Sequence, residues 1–154
     1  MTEAELQTAI ATYIRMRYPG VLFHSDFGSG IKLTMWQAKL QKAQNGGRRA
    51  WPDMFIAKPA NVKAEAKQID YDDKHVIGAF TFLEQKYGLF LEIKKDGTRL
   101  YKKNGEPATE HIAEQAQTLE RLREEGYAAE FACGFEEAKK IIDDYLGGKY
   151  AKTY

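Results

Sequence analysis

One cysteine, four prolines and a net charge of +1 leave this chain of 154 residues few of the common shortcuts to a function. A lone thiol closes no internal disulfide, so neither a disulfide scaffold nor a disulfide-linked partner is expected. Cys133 falls in an apolar stretch and the N-terminus carries no signal-peptide pattern, which points to a reducing, cytoplasmic setting. Nowhere do apolar residues run for the eighteen or so positions that a membrane span needs, so no membrane partner is expected. His24, His75 and His111 lack metal-ligand spacing, and nothing pairs with Cys133 as a nucleophilic dyad. Asp70, Asp72 and Asp73 form an acidic run without the glycine and closing glutamate of an EF-hand loop.

What is present is ordinary in amount and uneven in placement. With 44% hydrophobic and 29% charged residues, the chain has the make-up of one soluble globular domain. Between Phe27 and Pro52 stand five basic residues, Lys32, Lys39, Lys42, Arg48 and Arg49, and no acidic one. From Gly105 to Leu146, eleven acidic residues face four basic ones. The basic segment leads directly into Asp53 and suits phosphates, whereas the acidic half reads equally well as a solvated surface.

The pattern along the chain predicts a helix over Thr2–Arg17, with Thr2 as cap and Leu6, Ile10, Tyr13 and Ile14 as its buried stripe. Pro19-Gly20 ends it. A short strand over Val21–Phe27 and a Gly28-Ser29-Gly30 loop follow. A basic helix over Met35–Gln44 stops at Asn45-Gly46-Gly47, and Asp53–Ala57 reads as a strand. Trp36, on that helix, reads as a core residue rather than a base-stacking one. The stretch 58–87 is the least legible: Val62–Gln68 suggests a helical turn, and Val76–Glu84 fits a strand or a buried helix equally. Leu89–Lys95 is a strand, and Asp96-Gly97 predicts a hairpin to Arg99-Leu100-Tyr101. A helix over Thr109–Glu125, a strand over Tyr127–Cys133 and a helix over Phe135–Leu146 complete a domain at residues 1–147, with 148–154 as a loose tail. This order implies a three-layer α/β domain with a central mixed sheet flanked by helices.

Two short runs carry the chemistry. Side chains alternate along a strand, so Glu92 and Lys94 share one face while Ile93 points the other way. If Asp53 begins a neighbouring strand, two carboxylates and an ammonium converge. Two such carboxylates about 4 Å apart repel by roughly 4 kcal/mol at an effective dielectric near 20. A hard divalent cation, Mg²⁺ or Mn²⁺, reverses that sign, and a phosphodiester alone would worsen it. Taken singly, a Pro-Asp pair is commonplace and a Glu-x-Lys is more often a surface ion pair.

Together, Arg49-Ala50-Trp51-Pro52-Asp53 and Leu91-Glu92-Ile93-Lys94 resemble the catalytic signature of the PD-(D/E)xK nuclease superfamily. Gln115, Leu119, Leu122, Gly126-Tyr127 and Gly134-Phe135-Glu136-Glu137-Ala138 make the ending similar to that of its virus-type replication-repair nuclease (VRR-NUC) domains. The likeness runs from Glu3 to about Leu146, and departs at Trp51 and in the length of 59–87. It implies a restriction-endonuclease-like fold, with Asp53, Glu92 and the Ile93 carbonyl as metal ligands. It also implies Lys94 as catalytic lysine, Gln115 as the glutamine that orients the site, and an acid from the first helix. Glu3 lies near the Leu6/Ile10/Ile14 stripe and Glu5 points away from it, so Glu3 is the expected one.

The function expected is Mg²⁺- or Mn²⁺-dependent hydrolysis of DNA, with Lys32, Lys39, Lys42, Arg48, Arg49 and Lys95 on backbone phosphates. No base-reading module is apparent, which favours branched DNA such as a four-way (Holliday) junction over a sequence. The resemblance further implies a homodimer, a role in DNA repair, and a bacterial or phage-infected host cell. A sequence-specific restriction-type endonuclease and a non-catalytic DNA-binding protein on the same fold remain as alternatives.

Overall fold

Thr2 starts the first helix, α1 (Glu3–Arg17), through a reciprocal cap: its Oγ1 accepts from Glu5 N at 3.1 Å, and Glu5 Oε2 accepts from Thr2 N at 2.7 Å. The structure, a computed structural model, describes residues 1–26, 32–47, 50–69 and 75–151. The elements that follow α1 are β1 (Phe23–Ser25), α2 (Met35–Gln44), β2 (Met54–Ile56), β3 (Ala60–Ile69) and β4 (Val76–Lys86). After them come β5 (Leu89–Lys94), α3 (Glu110–Glu124), β6 (Ala128–Cys133) and α4 (Phe135–Leu146).

The central sheet runs β1-β2-β5-β6. β1 with β2 and β2 with β5 pair antiparallel, and β5 with β6 pairs parallel, so the sheet is mixed. All six residues of β5 are buried, as a strand covered on both faces requires. Leu89, Leu91 and Ile93 join Met54, Ile56, Ala128 and Ala132 beneath α1 and α4, where Leu6, Ile10, Ile14, Ala138, Ile142 and Tyr145 meet them. The residues between, led by Phe90, pack with Ala129 and Phe131 against Ile112, Leu119 and Leu122 of α3. The result is three layers, α1 and α4, then sheet, then α3.

Four sequence expectations are corrected. Val62–Gln68 is strand, not a helical turn: Ala, Lys, Glu and Gln favour helices singly, yet Asn61, Lys63 and Glu65 are exposed while Val62 and Ala64 are buried, and that period of two prevails. Its partner is β4, which resolves the open choice over Val76–Glu84 as a strand. Asp96-Gly97 does form a turn, with Thr98 N donating to Lys95 O at 3.1 Å, but Arg99–Tyr101 does not pair with β5. Both edges of β5 are already taken by β2 and β6, so no position is left for a hairpin strand. The tail is docked as far as Ala151: Tyr150 is buried against Tyr145, and its carbonyl accepts from Lys63 N at 3.3 Å.

The fourth concerns Trp36, which is 70% exposed, as are Met35 and most of its helix; α2 buries no residue at all. The helix is nonetheless well capped, by a Thr34/Gln37 capping box and by Gly46 and Gly47 at positive φ beyond its end. Local signals make it, and core packing does not.

Candidate active site

The β2–β5 register sets Met54 opposite Leu91. One residue further, Asp53 falls opposite Glu92, and directly opposed residues of an antiparallel pair project to the same face. That face is the α3 side of the sheet, where Phe55 stacks on Phe90 at 4.4 Å. Lys94 follows on the same face by alternation. The sequence therefore brings the two acids and the amine together through a non-local antiparallel pairing.

Each group is held. Asp53 Oδ2 accepts from Ile93 N at 2.8 Å. Glu92 is only 3% exposed, and its Oε1 accepts from Gln115 Nε2 at 2.5 Å and lies 3.1 Å from Lys94 Nζ. Gly134, at a φ of 86° that favours glycine, donates its N–H to Lys94 O at 2.9 Å and turns the chain from β6 into α4. Glu137 then accepts from Cys133 N at 2.8 Å, so this acid of the Gly-Phe-Glu-Glu-Ala run ties the first turn of α4 back to the end of β6.

Electrostatically the acids are uneasy neighbours. Burial, then the charge of Asp53, pushes Glu92 up to about 8, and Lys94 opposes the rise. Burial also raises Asp53, against the Ile93 N–H, the hydrogen bond with Glu92 and the Lys94 charge. The bond between the two carboxyls favours the proton on Glu92. Gln115 Oε1 is a buried acceptor with no protein donor among the described residues.

This donor set fits a hard divalent cation of the Mg²⁺ type, which commonly takes one or two carboxylates and keeps several waters. Among the described residues no three His, Cys, Asp or Glu groups stand close enough to hold a metal ion. Glu3 is half-buried and its charge reaches Asp53, but it does not complete a three-acid cage. Glu5 is occupied in the Thr2 cap.

The basic residues divide. Lys39 and Lys42 are exposed and line one cleft with Asp26 and Trp51. Lys95 points to the other side of the sheet, into a cleft with Met1, Leu6, Cys133 and Phe135, apart from Lys94. Lys32 is exposed, and Arg48 and Arg49 lie outside the described residues.

Sequence reasoning missed Gln7. It is buried, and its Nε2 reaches Ser25 Oγ at 2.7 Å, Asp26 O at 2.8 Å and Asp53 O at 3.2 Å, so that α1 fixes the backbone of the acid. The signal was available: Gln7 stands three and seven residues before Ile10 and Ile14, a polar residue inside an apolar stripe. Gln7→Leu is expected to cost about 1–3 kcal/mol in urea unfolding, because Asp26 O loses its buried donor.

Fold and acid pair together define a three-layer α/β domain of the restriction-endonuclease-like kind. A solved structure described as a VRR_NUC domain protein matches with a TM-score of 0.56 over 99% of this chain and 93% of its own, at 21% identity. The fold is that of a VRR-NUC domain. No family model and no curated protein matches the chain. No described helix is long and apolar enough to cross a membrane.

Proposed function

We propose that the chain is a divalent-metal-dependent DNA endonuclease acting on branched DNA. The observation that carries this reading is the opposition of Asp53 and Glu92 across β2 and β5, with Lys94 on the same face. The likeness to a VRR_NUC domain protein supports it at the level of fold.

Asp53, Glu92 and the Ile93 carbonyl would hold Mg²⁺ or Mn²⁺, with Glu3 adding negative charge nearby. Bound there, the cation supplies Lewis-acid polarisation of a phosphate oxygen and makes a water more acidic. The chain's own residues do the rest. The Ile93 N–H fixes the Asp53 carboxylate, and Gln115 fixes that of Glu92. Lys94 Nζ, anchored 3.1 Å from Glu92 Oε1, orients the attacking water and balances charge developing on the phosphate. Lys39 and Lys42 bind backbone phosphates without reading sequence.

The homodimer that the family resemblance implies would present two such sites to one junction. Cleavage of a labelled four-way junction against linear duplex, in Mg²⁺ or EDTA, tests the reading. Metal-dependent cutting of the junction in preference to the duplex is expected. Cutting of one linear sequence alone would favour a restriction-type enzyme, and tight binding with no cutting a non-catalytic protein. Reversing Lys39 and Lys42 to Glu is expected to weaken junction binding and reduce the slope of log K against log salt by about 2. An unchanged slope in a filter-binding titration would remove α2 from the interface.

A further inference from the structure

Helix α2 turns Ala38, Gln41, Lys42 and Asn45 toward Trp51, at the i, i+3, i+4, i+7 spacing of one helical face. With Lys39 and Asp26 they enclose a cleft of about 380 Å³, a size suited to a small organic ligand. Trp51 is 42% exposed, and its ring is held edge-to-face on Phe90 at 5.6 Å, so one part of the indole is pinned while another faces the cleft. Asp26, whose N–H donates to Asp53 O at 2.7 Å, ties this wall to the acid pair.

Resting on the nuclease reading, we infer that this cleft is a nucleobase-binding subsite, in which Trp51 stacks on an unpaired base flanking the scissile phosphate. The position supports this, since Trp51 lies two residues from Asp53 and two residues of chain span at most about 7 Å. The chemistry supports it as well. An aromatic face stacks on any base. Asp26, Gln41 and Asn45 offer acceptors and donors to a base edge, and Lys39 and Lys42 offer cations to the phosphates on either side. A helix that buries nothing yet is capped at both ends has a use in what it presents, and its inner face presents these groups. Paired duplex keeps its bases stacked on one another, so the subsite selects strands opened at a branch or end.

Trp36→Phe leaves Trp51 as the single tryptophan, and a short oligodeoxyadenylate in Ca²⁺ serves as the probe. Saturable quenching of Trp51 fluorescence is expected, and none from the same oligonucleotide made entirely abasic. By anisotropy, Trp51→Ala is expected to bind the base-containing strand about five- to a hundredfold more weakly, and Trp51→Phe to retain most of the affinity. Equal affinity for abasic and base-containing strands, or unchanged affinity in Trp51→Ala, would overturn the inference. Trp51→Phe keeps an aromatic ring against Phe90, so retained affinity there beside loss in Trp51→Ala, with native circular dichroism in both, separates stacking from a folding defect. Loss of binding in both folded variants would count against the stack. None of these readouts requires cleavage. A protein that cuts junctions normally without quenching loses the subsite and keeps the nuclease reading. One that quenches but cuts nothing does the reverse.

Discussion

Asp53→Asn is expected to lower the rate of junction cleavage by about 10²–10³ while leaving the circular dichroism spectrum unchanged. The amide keeps the size of the carboxyl and an oxygen for the Ile93 N–H, so the turn into β2 survives. What it removes is one of the two anionic ligands, and the remaining acid cannot hold a hard cation as strongly. Lys94→Ala should fall as far for a different reason. It leaves the metal ligands in place but takes away the ammonium beside Glu92 Oε1, so metal affinity persists while the chemical step fails. Cutting at the native rate by both folded variants would mean that the site lies elsewhere.

The second large effect is on stability. Glu92 titrates near 8 in the folded protein against an ordinary value of 4.5, so folding favours its neutral form. The stabilisation is complete below the ordinary value and is lost as pH rises through about 8. Asp53 is raised too, and acts in the same direction. In EDTA the unfolding free energy is therefore expected to fall between pH 5 and 8 by an amount on the order of 3 kcal/mol, which lowers the melting temperature by about 10 °C. Mg²⁺ or Mn²⁺ should reverse the fall, with a stabilisation that grows with pH as both acids ionise. Glu92→Gln should flatten the pH dependence and abolish the metal response. A wild-type melting curve in EDTA that does not change over this range would contradict the buried, mutually repelling pair.

Much of this was legible in the sequence because the signals were local. Thr2 announces α1 as its cap, and the apolar run Leu89–Ile93 announces a strand buried on both faces. Alternation alone puts Glu92 and Lys94 on one face, whereas Asp53 joins them only through the β2–β5 pairing. What could not be read was non-local. Nothing in Asp96-Gly97 reveals that β5 is already paired on both sides, and only the sheet order does so. Alternation already sets Lys95 on the face opposite Lys94, but the neighbours it meets there, Met1, Leu6, Cys133 and Phe135, come from elsewhere in the chain. Trp36 was misjudged because a tryptophan usually belongs inside, whereas α2 stands off the core altogether. The β3–β4 hairpin was obscured by residues whose individual helix preference contradicts their alternation, and Gln7 by its burial within a stripe of aliphatic neighbours.

The acid pair as a joint metal site is best tested by titrating Mn²⁺ and reading the free ion by electron paramagnetic resonance. Wild-type protein should remove Mn²⁺ from solution saturably near pH 8. Asp53→Asn and Glu92→Gln should each bind at least tenfold more weakly, and Lys94→Ala close to normally. Undiminished binding by both acid variants would contradict the account.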